Sequence, residues 1–240
     1  MQFYSSISKY YELVFPYKPM QLEFLLKNGL ENADKVLDIG CGTGNLALAV
    51  ANQNCRVKAL DFDREMVAIA KAKNNSSNPE FLHVDMRNIA DYFRAGSFDL
   101  IYCFGNTIVH LLSNDQIRKF LHAVKSVLTP GGQFLLQLLN YENILTNQIT
   151  QLPLIENNTI KFERYYEFNE PELVDFITML TIKASGETIT NRIKLYPLTK
   201  TKLSNLLLDA GFENINFYSG FNEKPLNNTS LPLVGSCQAK

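Results

Sequence analysis

Short apolar runs alternate with amphipathic segments along the first 140 residues of the chain. Segments that repeat apolar residues at helical spacing are NLALAVANQ, REMVAIAKAKNN and NDQIRKFLHAVKSVL. Strands alternating with helices predict right-handed crossovers and a mostly parallel sheet with helices on both faces. Runs with the length and composition of buried strands are VLDI (36–39), RVKALD (56–61), EFLHVD (80–85), SFDLIYCF (97–104) and QFLLQLL (133–139).

The pattern differs at the two ends of the chain. Residues 1–34 are predicted to be helical, with breaks at Pro16 and Pro19. After residue 145, TIKFERYYEF, ELVDFITMLTIKA and ETITNRIKLYP predict three strands that must pair antiparallel, because no helix separates them. A last helix, TKTKLSNLLLDAG, and two last strands, ENINFYSGF and SLPLVGSCQA, follow. We therefore expect N-terminal helices and a core unit in 1–145, an antiparallel lid in 146–198, and the rest of the core in 199–240.

The charge balance narrows the classes of partner. The 23 Lys and Arg residues nearly cancel the 24 Asp and Glu residues, whereas nucleic-acid and anionic-membrane binding usually require a basic excess. No apolar run approaches the ~20 residues that span a bilayer, and the start lacks a signal-peptide pattern. The four cysteines form no CxxC pair. We expect a cytoplasmic monomer or homodimer that needs no metal and binds neither nucleic acid nor membrane.

A glycine loop, VLDIGCGTGN, follows the first predicted strand. Its spacing, with Gly40, Gly42 and Gly44 followed by Asn45, misses the third glycine of the dinucleotide fingerprint and the lysine of the phosphate P-loop. Asp38, just before the loop, would repel a pyrophosphate but suits a ligand with an ammonium or sulfonium group. The loop therefore favours a cationic ligand without phosphate, and ligands of such sheets bind at the carboxyl ends of the strands.

Five segments resemble, in order and spacing, the motifs of class I S-adenosylmethionine-dependent methyltransferases. They are VLDIGCGTGNLALAVA, ALDFD (59–63), HVDMRNI (83–89), SFDLIYCFGN (97–106) and LTPGGQFLL (128–136). The resemblance covers about residues 36–140. It implies a seven-stranded Rossmann-like sheet, S-adenosylmethionine as cofactor and S-adenosylhomocysteine as product.

The resemblance also implies roles for individual residues. Asp38 is expected near the ammonium group of the cofactor, Asp61 at the ribose hydroxyls, and Asp85 at the adenine amino group. Taken alone, Asp38 and Asp85 could be helix caps and Asp61 could be a solvated strand end, but the register of the whole set favours the cofactor roles. The full set of expected cofactor contacts is Tyr11, Asp38, Gly40, Cys41, Gly42, Gly44, Asp61, Phe62, Asp85, Met86, Phe104 and Gly105.

The segment FGNTIVHLL (104–112) is similar to one in glycine N-methyltransferases and related small-molecule enzymes. By that resemblance, Asn106 could orient the acceptor and His110 could act as a base or hold it, although packing explains a lone histidine equally well. The three strands of the lid also match this group in position. Their candidate substrate contacts are Arg164, Tyr166 and Arg192, where an inward-facing arginine would bind a carboxylate and an outward-facing one would meet solvent.

These observations predict a methyltransferase that acts on a small molecule, with nitrogen favoured over oxygen or carbon as the acceptor atom. One alternative is an RNA or protein methyltransferase, which the even charge and the absence of an N-P-P-[YF] motif disfavour. Another is a non-catalytic protein that binds S-adenosylmethionine. A nucleotide-binding oxidoreductase is disfavoured by Asp38 and Asn45.

Overall fold

Two β-sheets organise the structure, which is a computed structural model describing residues 2–240. The strands are β1 (Lys35–Ile39), β2 (Arg56–Asp61), β3 (Glu80–His83), β4 (Phe98–Cys103), β5 (Leu128–Leu139), β6 (Ile155–Glu156), β7 (Ile160–Glu167), β8 (Val174–Ile182), β9 (Thr188–Leu195), β10 (Phe212–Tyr218) and β11 (Pro232–Ala239).

The larger sheet has seven strands in the order β3-β2-β1-β4-β5-β11-β10. Strands β1 to β5 pair in parallel, and β11 runs antiparallel to both of its neighbours. The predicted seven-stranded, mostly parallel sheet is confirmed. Two boundaries differ: β3 ends at His83, which leaves Asp85 in the following turn, and β5 begins at Leu128, with an irregular pairing to β4 at its start.

Helices cover both faces of this sheet, as predicted. Helices α3, α4 and α5 pack on one face, and α6, α7 and α9 pack on the other. None of the helices in residues 2–240 has the length and apolar character needed to cross a membrane. The helices are α1 (Gln2–Ile7), α2 (Tyr11–Val14), α3 (Pro19–Lys27), α4 (Asn45–Ala51), α5 (Arg64–Lys73), α6 (Ile89–Tyr92), α7 (Asn114–Val127), α8 (Tyr141–Thr146) and α9 (Lys200–Asp209).

The second sheet, called the insert sheet, consists of β6 to β9 between α8 and α9. The predicted antiparallel strands are present, but the sheet has four strands rather than three. The additional strand, β6, has only two residues and was missed because so short a segment shows no periodicity. One face of the sheet packs against Phe3, Ile7 and Val14 of the N-terminal helices, and we call it the inner face.

Side-chain hydrogen bonds hold the N-terminal helices over the carboxyl ends of the central strands. Ser5 Oγ donates to Asp63 Oδ2 at 2.6 Å, and Ser8 Oγ donates to Glu65 Oε1 at 2.7 Å. Thr43 in the glycine loop donates to Glu12 at 2.9 Å. The N-terminal helices therefore form a roof over the loops that carry the predicted site.

Gly44 provides a test of how tightly the glycine loop packs. It caps α4 with φ +81°, and an added Cβ would lie 2.6 Å from the Phe81 ring. We expect Gly44→Ala to lower the free energy of unfolding by about 2–4 kcal/mol, since a left-handed backbone penalty adds to an overpacking penalty. Gly96→Ala is the matched control, because φ is +65° there and nothing lies within 4 Å of the added Cβ. Urea unfolding should show only about 1–2 kcal/mol lost in the control. Equal losses in the two variants would contradict the packing against Phe81.

Candidate functional site

The backbone of the glycine loop is fastened to the end of β2. The amides of Gly40 and Cys41 both donate to the carbonyl of Leu60, at 2.8 and 3.0 Å. The amide of Gly42 donates to Asp61 Oδ2 at 2.8 Å, and the amide of Asp63 donates to Asp61 Oδ1 at 2.8 Å. The Asp61 carboxylate thus joins the glycine loop to the turn that begins α5.

A cavity of about 300 Å³ opens beside this carboxylate, under the roof of α1 and α2. It lies at the carboxyl ends of β1 to β4, where ligands of parallel sheets bind. Expected site residues from five separate segments of the chain meet in its wall. They are Tyr11, Gly40, Gly42, Asp61, Phe62, Asp85, Met86, Phe104, Gly105 and His110.

Three expected cofactor contacts lie outside the cavity wall. Asp38 is buried at the end of β1. Burial raises the pKa of the Cys41 thiol well above its ordinary value, which suits a small packing residue rather than a reactive one. Gly44 faces the Phe81 ring, so its lack of a side chain serves internal packing.

Asp38 is a buried carboxyl without a cationic partner among the described residues. Burial raises its pKa to about 8, and the charge of nearby Asp61 adds to the shift while the Tyr102 hydroxyl opposes it. Burial likewise raises the pKa of Asp61, and the backbone amides that favour its ionised form do not outweigh burial. A positively charged ligand beside Asp38 and Asp61 would favour the ionised forms of both carboxyl groups.

The third predicted carboxylate, Asp85, is engaged by an arginine that the sequence analysis did not consider. Asp85 accepts from the Arg87 amide at 2.9 Å and from the Arg87 guanidinium, capping the turn after β3. Partial burial disfavours ionisation of Asp85, but the hydrogen bonds and charge of Arg87 outweigh it and hold the pKa below its ordinary value. The Asp85 carboxylate in the cavity wall is therefore ionised near neutral pH.

His110 sits in the cavity wall beside Tyr4, a residue that no local sequence pattern had singled out. Its Nε2 lies 2.9 Å from the Tyr4 hydroxyl, and its Nδ1 is buried without a hydrogen-bond partner among the described residues. Burial lowers the pKa of His110 to about 4, so the ring is neutral near pH 7 and is a weak base. This arrangement favours holding a ligand over removing its proton.

Asn106 does not line the cavity. Its Oδ1 accepts from the Leu139 amide at 3.0 Å, and its Nδ2 donates to the Tyr141 hydroxyl at 3.1 Å. The residue adopts φ +65° at the turn after β4. Because both ends of its amide are bonded within the protein, Asn106 shapes this turn in the structure, and its expected contact with the acceptor stays a prediction.

The candidate substrate residues of the insert sheet lie on opposite faces. Arg164 shares the inner face with the buried residues Phe162 and Tyr166, as the alternation along β7 requires. Arg192 lies on the outer face, where it pairs with Glu167 at 2.9 Å and Asp175 at 3.4 Å. In this structure Arg192 therefore does not line the cavity, and the expected contact between Arg192 and substrate stays a prediction.

Several residues of the cavity wall were missed. Met66 lies in the predicted helix REMVAIAKAKNN and is 1% exposed, yet it also contributes to the cavity. Its helical periodicity concealed this second role. Most of the others are chain neighbours of predicted site residues, whereas Tyr4 and Gln116 belong to separate helical segments. The full set is Tyr4, Leu60, Asp63, Val84, Arg87, Thr107, Leu111, Leu112 and Gln116. Within residues 2–240 no cluster of three or more Asp, Glu, His or Cys side chains could hold a metal.

Comparison with known proteins agrees with this geometry. A family model described as "Methyltransferase domain" matches residues 36–132. A glycine/sarcosine N-methyltransferase from Aphanothece halophytica is 29% identical over 211 residues, covering 84% of this chain and 75% of that protein. A ubiquinone biosynthesis O-methyltransferase from Erwinia tasmaniensis is 30% identical over 51% of this chain, which spans about half (49%) of its length.

A solved structure supports the fold. The crystal structure of an S-adenosylmethionine-dependent methyltransferase from Clostridium acetobutylicum aligns over 99% of both chains with a TM-score of 0.82 and 18% identity. At this identity the structural likeness establishes the fold alone. The family model and the curated relatives are what indicate a methyltransferase.

The raised pKa of Asp38 predicts a pH-dependent stability. Its folded-state pKa of about 8 exceeds the ordinary value of 3.8, so between these values the folded protein binds more protons than the unfolded chain. The stability contributed by this group is present below pH 4 and is lost as the pH rises towards 8. We expect the melting temperature of Asp38→Asn, relative to wild type, to rise from pH 5 to pH 8. Exposed Asp115→Asn should show no such trend, and the same flat profile in Asp38→Asn would contradict the assignment.

Proposed function

Since the chain is a class I S-adenosylmethionine-dependent methyltransferase, we propose that it methylates a nitrogen atom of a small-molecule acceptor. The observation that carries this proposal is the small cavity beneath the N-terminal roof. A cavity of about 300 Å³ is at the lower end of the volumes of small-molecule sites, and a folded polymer as a whole cannot enter it. The N-methyltransferase activity named for a curated relative supports nitrogen as the acceptor atom.

The residues at the cavity fit S-adenosylmethionine, which supplies a methyl group activated by an adjoining sulfonium. Asp61 uses one acceptor site on each oxygen for the backbone amides, and a carboxylate has about four such sites, so it can also accept from ribose hydroxyls. Met66 and Met86 offer apolar surfaces for an adenine ring. The loop at Gly40 and Gly42 would hold the amino-acid head above the buried Asp38.

The polar groups nearest the roof would align the acceptor. Tyr4 and His110 present a neutral hydrogen-bonding pair in the cavity wall, which a purely sensory protein would not require. Because His110 is a weak base, we propose that the amine binds in its unprotonated form. Tyr4 and His110 then contribute by aligning the acceptor and by excluding water from the cavity.

The charges around the cavity support a small acceptor rather than RNA. Its wall contains Asp61, Asp63 and Asp85, and its one arginine, Arg87, is paired with Asp85. A strand of nucleic acid entering here would meet acidic side chains instead of the basic strip that neutralises phosphates.

Cofactor binding can be tested without any knowledge of the acceptor. We expect the protein to bind S-adenosylhomocysteine at one site with micromolar affinity in isothermal calorimetry. Asp61→Asn should weaken binding by about 10- to 100-fold, because its amide replaces one acceptor oxygen with donors that face the Gly42 or Asp63 amide. The control is Asp209→Asn at the far end of α9. Unchanged affinity in a folded Asp61→Asn variant would refute the proposed ribose contact.

A further inference from the structure

A tyrosine hydroxyl is buried near the carboxyl ends of the central strands. Tyr102 on β4 is fully buried, and its hydroxyl makes no full hydrogen bond among residues 2–240. Its ring packs against the ring of Phe104 in the cavity wall, with 5.3 Å between the two centroids. A buried hydroxyl without a partner costs stability that a phenylalanine at this position would avoid. Packing alone therefore does not explain the tyrosine.

The strand register places Asp38 beside Tyr102. Strands β1 and β4 are neighbours, and Asp38 lies directly opposite Tyr102 in their pairing. Both side chains are buried, and the hydroxyl lies close enough to the carboxyl to favour its ionised form. The contact nevertheless falls short of a full hydrogen bond in this structure. The hydroxyl and the carboxyl thus form an incomplete pair.

No cation compensates Asp38 among the described residues. Burial raises its pKa to about 8, and the charge of Asp61 adds to the shift. Lys73 opposes the rise in the pKa of Cys41, but it pairs with Glu12 and is not among the groups that shift the pKa of Asp38. The ionisable groups that face Asp38 from the surrounding elements are Tyr11 in the roof, Cys41 in the glycine loop, Asp61 on β2, and Tyr102 and Cys103 on β4. Without a cationic ligand, Asp38 is therefore mostly protonated near pH 7.

A cationic group at the glycine loop would reverse this preference. Gly40 and Gly42 follow Asp38 closely along the chain and form part of the cavity wall. The ammonium of the amino-acid head of S-adenosylmethionine, held at this loop, would favour the ionised carboxylate. The Asp38 proton would then leave to the solvent, and the carboxylate would accept a hydrogen bond from the Tyr102 hydroxyl. Such a charge-assisted hydrogen bond is about twice as strong as a neutral one.

We propose that Tyr102 is a positioning residue for the cofactor, whose hydroxyl holds the carboxylate that Asp38 forms when the head ammonium binds. Tyr102 touches neither the cofactor nor the acceptor and acts through Asp38 alone. Binding of the cofactor is thereby coupled to the release of a proton. This inference goes beyond the proposed function, because it concerns the cofactor and is independent of the acceptor atom.

Proton release on binding measures the ionisation of Asp38. Calorimetric titration with S-adenosylhomocysteine at pH 7 is repeated in phosphate and Tris buffers, because their different ionisation enthalpies reveal how many protons are released. 5′-Methylthioadenosine is the matched probe, since it keeps the adenosine and the thioether but lacks the amino-acid head. We expect S-adenosylhomocysteine to release about one proton more than 5′-methylthioadenosine. Asp38→Asn should abolish this difference.

The affinity should depend on pH for the same reason. The Asp38 carboxyl is protonated before binding and ionised afterwards, so binding strengthens as the pH rises towards 8. The affinity for S-adenosylhomocysteine, divided by that for 5′-methylthioadenosine, should rise about 10- to 30-fold from pH 6 to pH 7.5. The ratio removes the contribution of Asp61, which both ligands would meet through the ribose. In Asp38→Asn the ratio should not change with pH.

Tyr102→Phe separates positioning from packing. We expect this variant to bind S-adenosylhomocysteine about 10-fold more weakly at pH 7, to bind 5′-methylthioadenosine as wild type does, and to shift the rise in affinity to higher pH. Its melting temperature without ligand at pH 6 should not fall, because the variant loses only an unpartnered hydroxyl. A hydroxyl needed for packing would instead lower the melting temperature and weaken both ligands alike. The matched control is Tyr92→Phe, at an exposed tyrosine, which should leave every value unchanged.

This proposal and the proposed function can fail separately. Equal proton release with the two ligands, or a Tyr102→Phe variant that keeps the wild-type affinity and pH profile, would overturn the role of Tyr102 and leave N-methylation standing. Methyl transfer to oxygen or carbon acceptors alone would refute N-methylation and leave the role of Tyr102 standing.

Discussion

The site depends on one carboxylate, that of Asp61, and the two backbone amides that donate to it. Through the Gly42 amide it holds the glycine loop, and through the Asp63 amide it holds the turn that begins α5. Asp63 in turn caps α5 and accepts from Ser5 of α1. Asp61 and Asp63 together therefore connect the loop, the helix and the roof. Partial burial makes the ionised form of Asp61 unfavourable in free energy. A polar ligand that hydrogen-bonds to the carboxylate would offset part of that cost.

The fold and half of the site could be predicted because their signals are local. A parallel strand is a short apolar run, and the loop after it carries site residues. Asp61, Asp85 and Gly105 could therefore be located from their positions at the ends of predicted strands. Tyr4 reaches the cavity only because α1 packs over the ends of distant strands, so no local pattern indicated it. Asn106 was placed on the correct turn, but its partner Leu139 lies on the next strand, and the sequence did not indicate that contact.

The insert sheet shows that some missed information was present in the sequence. Along β7 the buried residues Phe162 and Tyr166 flank Arg164, and along β9 Ile193 follows directly after Arg192. Strict alternation therefore places the first arginine inward and the second outward. The short strand β6 had no comparable signal. Local motifs thus indicate the glycine loop and the strand ends, whereas the roof and the insert sheet are assembled from distant segments.

A crystal structure of the protein with S-adenosylhomocysteine would test the central role of Asp61 most directly. We expect the ribose hydroxyls within hydrogen-bonding distance of the Asp61 carboxylate while the Gly42 and Asp63 amides keep their bonds to it, and the adenine beside Met66 and Met86. A ribose placed away from Asp61, or a carboxylate that has released the Gly42 amide, would contradict it.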